Sequence, residues 1–285
     1  MKYLKYFESH IRQGPGQLPL QKINLEEFKK LLQENCKQFL EVAQNINFTK
    51  YSEWSGSEQL LFRKFNSNHG DFVFTHPKVS EHRRIAPWSD WGNWHNLIIS
   101  NLDSWKEYPR RNKSMIASGW SRAKSHMGTD MYLVIPFDKT KIGVCESEDF
   151  WNSFNVYRQN RLYIPQWFKN IIQNLSSQSG VTFFNDDSWE DILPHLDRKY
   201  DNIFYREYDV NKTLLENLNE FLNPKKNQFR LETFSKVSKL QKQKCRECWF
   251  EDEALLISWK YLTNLNKEEI QELFPSVGFF SKFKL

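Results

Sequence analysis

Cysteine is scarce in this chain. Cys36, Cys145, Cys245 and Cys248 are the four in 285 residues, too few for a disulfide framework, so a reducing compartment is expected. Long apolar runs are missing too, and the first residues, MKYLKYFESH, lack the continuous apolar segment of a secretory signal. Both absences point to a soluble, cytoplasmic chain. A strong excess of one charge is also lacking. Forty basic residues face 35 acidic ones, a net of +5, which argues against a dedicated nucleic-acid binder but leaves room for a weakly anionic ligand. There is no internal repeat and no low-complexity tract. His69, His76, His82, His95, His126 and His195 show no metal spacing on one helix face and read as surface or satisfied core positions.

What the chain does have is rings. With 23 Phe, 11 Trp and 11 Tyr, the core must be built largely from aromatic side chains. Residues 1–22 end in the Gly/Pro-rich RQGPGQLPLQK and read as a tail and linker. In the following INLEEFKKLLQENCKQFLEVA, Phe28, Leu31, Leu32, Phe39, Leu40 and Val42 recur at helical spacing, and Asn24 with Glu27 fits a capping box. Strands are predicted at 59–65, 71–77, 114–118, 131–135 and 142–145, with helices at 165–176, 187–196 and 211–222. Strands early, in the middle and late argue for one α+β domain over 23–285, carrying a helical insertion at about 150–235.

Near the C-terminus stands QKCRECWFEDEALLIS, residues 243–258. The Cys245/Cys248 pair has zinc-like spacing, but no second Cys-x-x-Cys or His-x-x-x-His completes four ligands, so no metal is expected. Strand alternation would put the two thiols on opposite faces. The text reads as a β-hairpin turning at Glu251-Asp252-Glu253 and opened by Glu247. A carboxylate there costs desolvation unless its charge is used; a bland reading pairs it with Arg246 or a neighbouring Lys.

A strand with an Arg, a later strand with a Ser leading into a short helix, and a late strand opened by a Glu together resemble the Arg-Ser-Glu class of mono-ADP-ribosyltransferases, which includes bacterial toxins and phage enzymes. The matching pieces are LLFRKF with Arg63, MIASGWSRAKSHMGTDMYLVIP with Ser118, and CRECWFEDEALLIS with Glu247. The resemblance implies a split mixed or antiparallel sheet and NAD as substrate, with no metal. It also implies a role for each residue. Arg63 would contact the NAD diphosphate. Ser118, with Ser121 as its near neighbour, would hold the nicotinamide-ribose pocket, and Gly119 would allow close approach of the dinucleotide. Glu247 would favour the oxocarbenium-like state as the glycosidic bond breaks.

Two departures stand out. Arginine-modifying members carry an acidic residue two positions before the catalytic Glu, where this chain has Cys245. Glu146 and Glu148 in CESED do show the Glu-x-Glu spacing and are the alternative catalytic pair, although Ser147 or Asp149 there also suits a helical N-cap. Arg83/Arg84 and Arg110/Arg111 are basic pairs that could rim an anionic cleft. The opening MKYLKYFES resembles the start of accessory proteins of large tailed phages, which implies an infected host cytoplasm or a virion. Two further functions fit the same text: an inactive binding or structural protein of this fold, and a nucleic-acid binder that stacks bases on its rings. The acceptor, protein or nucleic acid, is not legible.

Overall fold

In a computed structural model of the chain, the described residues are 18–44, 46, 57–79, 94–125, 128–154, 164–183, 188–201 and 208–275. Among them, nine strands join in one antiparallel sheet and ten α-helices surround it. The strands are β1 Leu20–Lys22, β2 Leu61–Phe65, β3 Phe72–Thr75, β4 Met115–Ser118, β5 Asp130–Pro136, β6 Ile142–Val144, β7 Arg230–Glu232, β8 Glu247–Phe250 and β9 Ala254–Ser258. Their order across the sheet is β1-β3-β9-β5-β2-β4-β8-β6-β7. Every segment expected as a strand therefore lies in this sheet.

Two expectations change. The end of the linker is not a tail: Leu20–Lys22 pairs with Val73–Thr75 as an edge strand. The 247–258 segment is not a hairpin either, since β8 pairs with β4 and β6 while β9 pairs with β3 and β5. The text around Glu251–Glu253 looks like a hairpin turn because local sequence carries no information about distant partners.

That link fixes the shape of the sheet. From Phe250 to Ala254 there are four Cα steps, a reach of at most about 14 Å. Three strands separate β8 from β9, which in a flat sheet would hold them about 19 Å apart. The sheet must therefore curve between β9 and β8, and the weakest pairing on that path is between β2 and β4, where Phe62↔Ser118 is the one pair in register. That seam divides the strands into two halves, β1-β3-β9-β5-β2 and β4-β8-β6-β7, called half-sheets below. Glu251 anchors the link: its carbonyl accepts from the Lys78 amide at 2.8 Å, and its carboxylate accepts from the Arg110 amide at 3.2 Å.

Alternation along β8 divides the hydrophobic residues between two cores. Cys248 and Phe250 join Met115, Ala117, Leu61, Val134 and Leu256 in the core shared by both half-sheets. Helices α1 Leu25–Asn35 and α2 Lys37–Ala43 close that core with Phe28, Leu32 and Phe39. They are the single N-terminal helix expected, broken at Cys36, where the Asp138 carboxylate accepts the amides of Lys37 and Gln38 and starts a new helix. Asn24 caps α1 by accepting from the Glu27 amide at 2.9 Å.

Trp249 points the other way, into a second core with Trp105, Tyr108, Phe150, Phe154 and Phe229. This core belongs to α3 Trp94–Asn101 and to the expected helical insertion, which holds α4's successors α5 Ile164–Ser179, α6 Trp189–Leu196 and α7 Leu214–Phe221 and ends in strand β7; α4 itself, Trp120–Ser125, follows β4 directly. Ser188 and Thr213 form capping boxes with Asp191 and Glu216, which sets where α6 and α7 begin. The remaining helices are α8 Phe234–Gln243, α9 Trp259–Asn264 and α10 Lys267–Leu273. No helix among the described residues is long and apolar enough to cross a membrane.

Candidate active site

Ser118 and Glu247 are direct cross-strand partners on β4 and β8, one step beyond the seam. Directly opposed residues share a face, here the face of Trp249 and Ile116, which also pair across the same two strands. Both polar side chains are buried, Ser118 at 1% exposure and Glu247 at 5%. The Ser118 hydroxyl has no hydrogen-bond partner among the described residues.

Arg63 lies on the next strand but not on this face. Phe62 stands opposite Ser118, so alternation sends Arg63 to the other side of β2. Its guanidinium turns into the seam, donates to the Ile116 carbonyl and lies 5.1 Å from the Phe65 ring centroid. The sequence order of Arg, Ser and Glu is thus matched by adjacent strands, while the expected convergence holds for Ser118 and Glu247 and fails for Arg63. Short motifs fix the strand but not its phase against a neighbour that pairs through one residue.

The cation beside Glu247 is Arg111. Its Nη1 is 2.6 Å from Glu247 Oε1, and the side chain is 8% exposed. The contact is close but not aligned as a hydrogen bond, so both atoms remain without a hydrogen-bonding partner among the described residues. The Arg111 guanidinium carbon lies 4.0 Å from the Phe150 ring centroid, 5.6 Å from Trp151 and 6.0 Å from Trp249, an aromatic seat for a cation. The two arginines of the YPRRNK pair thus divide their work, Arg110 on Glu251 and Arg111 on Glu247.

The second core explains why Arg111 arrives here. The segment before it is pinned by aromatic polar tips: Trp105 Nε1 donates to the Leu222 carbonyl at 2.9 Å and Tyr108 Oη to the Phe229 carbonyl at 3.1 Å. Trp249 Nε1 in turn donates to the Pro109 carbonyl at 2.8 Å. A 3-10 turn over Arg111–Lys113 then delivers the side chain. The Cys145 thiol sits in the same surroundings. Burial first, then the Glu247 carboxylate, pushes it well above its ordinary value, while Arg111 opposes them.

The bland partner expected for Glu247 is engaged elsewhere. Arg246 donates to Glu146 Oε2 at 3.0 Å and to the Cys145 carbonyl at 3.1 Å. Glu146 is thereby an ion-pair member, with Arg230 4.0 Å away. Glu148 is exposed in the loop after β6. Asp149 accepts from the Trp151 amide at 2.9 Å, but the N-cap of the turn Trp151–Ser153 is Phe150, not the expected Ser147 or Asp149. The Glu-x-Glu spacing has a structural explanation, and it places neither carboxylate opposite Ser118.

Gly119 is buried, but its missing side chain serves α8. A β-carbon there would lie 3.0 Å from both Cys245 Sγ and Gln241 Oε1. Close approach is required here by this protein's own packing. Ser121 is exposed on α4. The cysteine pair also differs from expectation. Strand geometry begins only at Glu247, so Cys245 does not alternate with Cys248. Both flank Gln241, whose Nε2 is 3.1 Å from Cys248 Sγ. No group of three metal-ligating side chains occurs among the described residues. Arg83, Arg84, His82 and His126 lie outside them.

No family model matches the chain, and neither the curated proteins nor the solved structures contain a match.

Proposed function

We propose that the chain is a mono-ADP-ribosyltransferase that cleaves NAD at the nicotinamide-ribose bond and passes ADP-ribose to a macromolecule, as a phage-type effector acting in a host cytoplasm. The observation that carries this reading is the cross-strand pairing of Ser118 with Glu247. A buried hydroxyl without a hydrogen-bond partner among the described residues stands across from a buried carboxylate, next to the β2–β4 seam. A buried hydroxyl left unpaired needs an explanation, and a ribose, which offers hydroxyls, supplies one.

In this mechanism Glu247 accepts a hydrogen bond from the ribose next to nicotinamide and places negative charge under the oxocarbenium-like state. Such a charge accelerates the step because it acts in a site from which water is excluded. Ser118 orients the same ribose and the carboxylate. Cys245, where arginine-modifying members carry an acid, turns its thiol to Gly119 and Gln241. With no carboxylate there to activate a guanidinium, an acceptor other than arginine is favoured.

The second reading, the same scaffold without the reaction, is favoured by the Arg111–Glu247 contact and by the phase of Arg63. Incubation of the purified chain with NAD labelled in its adenylate moiety, alone and with bacterial lysate, separates the two. Label on a macromolecule, or free nicotinamide, supports the transferase; neither product leaves the scaffold reading standing.

A further inference from the structure

We infer that Arg111, not Arg63, is the guanidinium that receives the anionic part of a ligand at this site, and that Glu247 occupies that place in the ligand-free chain. The ligand class is a diphosphate, which for its dinucleotide identity rests on the transferase reading.

Four observations support this assignment. Arg111 lies on the Glu247 and Ser118 side of the sheet, whereas Arg63 alternates away and donates to the Ile116 carbonyl. Arg111 Nη1, Glu247 Oε1, Ser118 Oγ and Asn112 Oδ1 are all buried without a hydrogen-bond partner among the described residues. The Phe150 ring 4.0 Å from the guanidinium carbon covers one face of the group, which leaves its in-plane N–H donors for a planar or forked oxyanion. Finally, the Glu247 carboxylate meets Arg111 at 2.6 Å without an aligned hydrogen bond. A diphosphate, which carries more negative charge and can accept two N–H bonds from one guanidinium, would compete with this carboxylate for Arg111. The backbone around Arg111 is pinned by the Trp249 bond to Pro109.

The probe is inorganic pyrophosphate, titrated into the full chain and followed by calorimetry and by tryptophan fluorescence, to which Trp151 and Trp249 near Arg111 contribute. Wild type should bind saturably. Arg63→Met should change the affinity by less than about twofold, and Arg111→Met should weaken it by at least about tenfold. Glu247→Gln removes the competitor and should tighten binding by roughly tenfold, a change in sign that a purely structural contact would not give. Because Arg111→Met leaves Glu247 unpaired in the core, the double variant Arg111→Met/Glu247→Gln is measured beside it, with thermal melting as the folding check.

Saturable binding that survives in the folded double variant overturns the inference. So does loss of binding in Arg63→Met with retention in Arg111→Met, weaker binding in Glu247→Gln, or absence of saturable binding in wild type. NAD cleavage is assayed separately. Pyrophosphate binding through Arg111 without NAD cleavage overturns the transferase reading alone; cleavage with pyrophosphate binding indifferent to Arg111 overturns this inference alone.

Discussion

The indole of Trp249 fills the space where Gly143 would carry a side chain, with ring atoms 2.3 Å from the ideal β-carbon position. The two residues pair across β6 and β8, and Trp249 is fully buried at the centre of the second core. Gly143→Ala should therefore overpack this core and cost about 1–3 kcal/mol. A lower denaturation midpoint with an unchanged denaturant slope checks it; a melt like that of wild type would mean the indole can shift freely.

Chemistry and stability should separate at Ser118, whereas Glu247→Gln also leaves Arg111 unpaired in the core and is read beside a thermal melt. Ser118→Ala removes a buried hydroxyl that has no partner, so thermal stability should hold or rise slightly, while NAD cleavage falls. Glu247→Gln keeps the shape and removes the anion, and should lower cleavage by roughly two to three orders of magnitude. Glu148→Gln, in an exposed loop, should be close to silent. Nicotinamide release by the three variants is the measurement, and equal losses in Glu148→Gln and Glu247→Gln would contradict the assignment.

Gln241 carries a local network. Its Oε1 accepts from the Arg246 amide at 2.9 Å, and its Nε2 donates to the Arg246 carbonyl at 2.8 Å. Gln241→Leu keeps the bulk but strands both buried backbone groups, at about 1–3 kcal/mol. The loss should show in a chemical denaturation curve, and Gln241→Glu should restore only the acceptor half.

Asp252, in the link between the half-sheets, has its carboxyl raised by burial first, helped by Glu253 and Glu251 and opposed by Lys78. A folded value above the unfolded one favours folding below the unfolded value and is lost as pH rises through the folded one. Near neutrality the ionised group is therefore a burden, and Asp252→Asn should raise the melting temperature there. The gain should vanish below about pH 4, where the unfolded Asp is itself protonated. A pH-independent gain would point to a cause other than charge.

Much of this architecture is legible in local text, because alternation and capping are local properties. The spacing of Phe28, Leu32 and Phe39 marks the helices that close the shared core, and LLFRKF and MYLVIP mark strands that do pair with each other. Non-local partners are not legible. CWFEDEALLIS reads as a hairpin, yet its two strands enter different half-sheets. For the site, Ser118 and Glu247 follow from the strand motifs that hold them, while Arg63 is out of phase by one residue. Arg111 stands in a sequence pair noted only as a basic rim. What separates it from Arg110 is the aromatic seat of Phe150, Trp151 and Trp249, two adjacent rings and a third far along the chain.

The link of Glu251–Glu253 also bears on how the chain is made. β8 lies between β4 and β6, and β9 lies between β3 and β5, so each of these interior strands leaves the ribosome after both of the strands that flank it. Until then a nascent chain holds two vacant slots, each flanked by unpaired strand edges. Both slots are filled almost together, because three residues tie one insertion to the other. Synthesis arrested before residue 247 should thus yield a chain prone to edge-to-edge association, and its dependence on chaperones should end abruptly once the tether and β9 emerge.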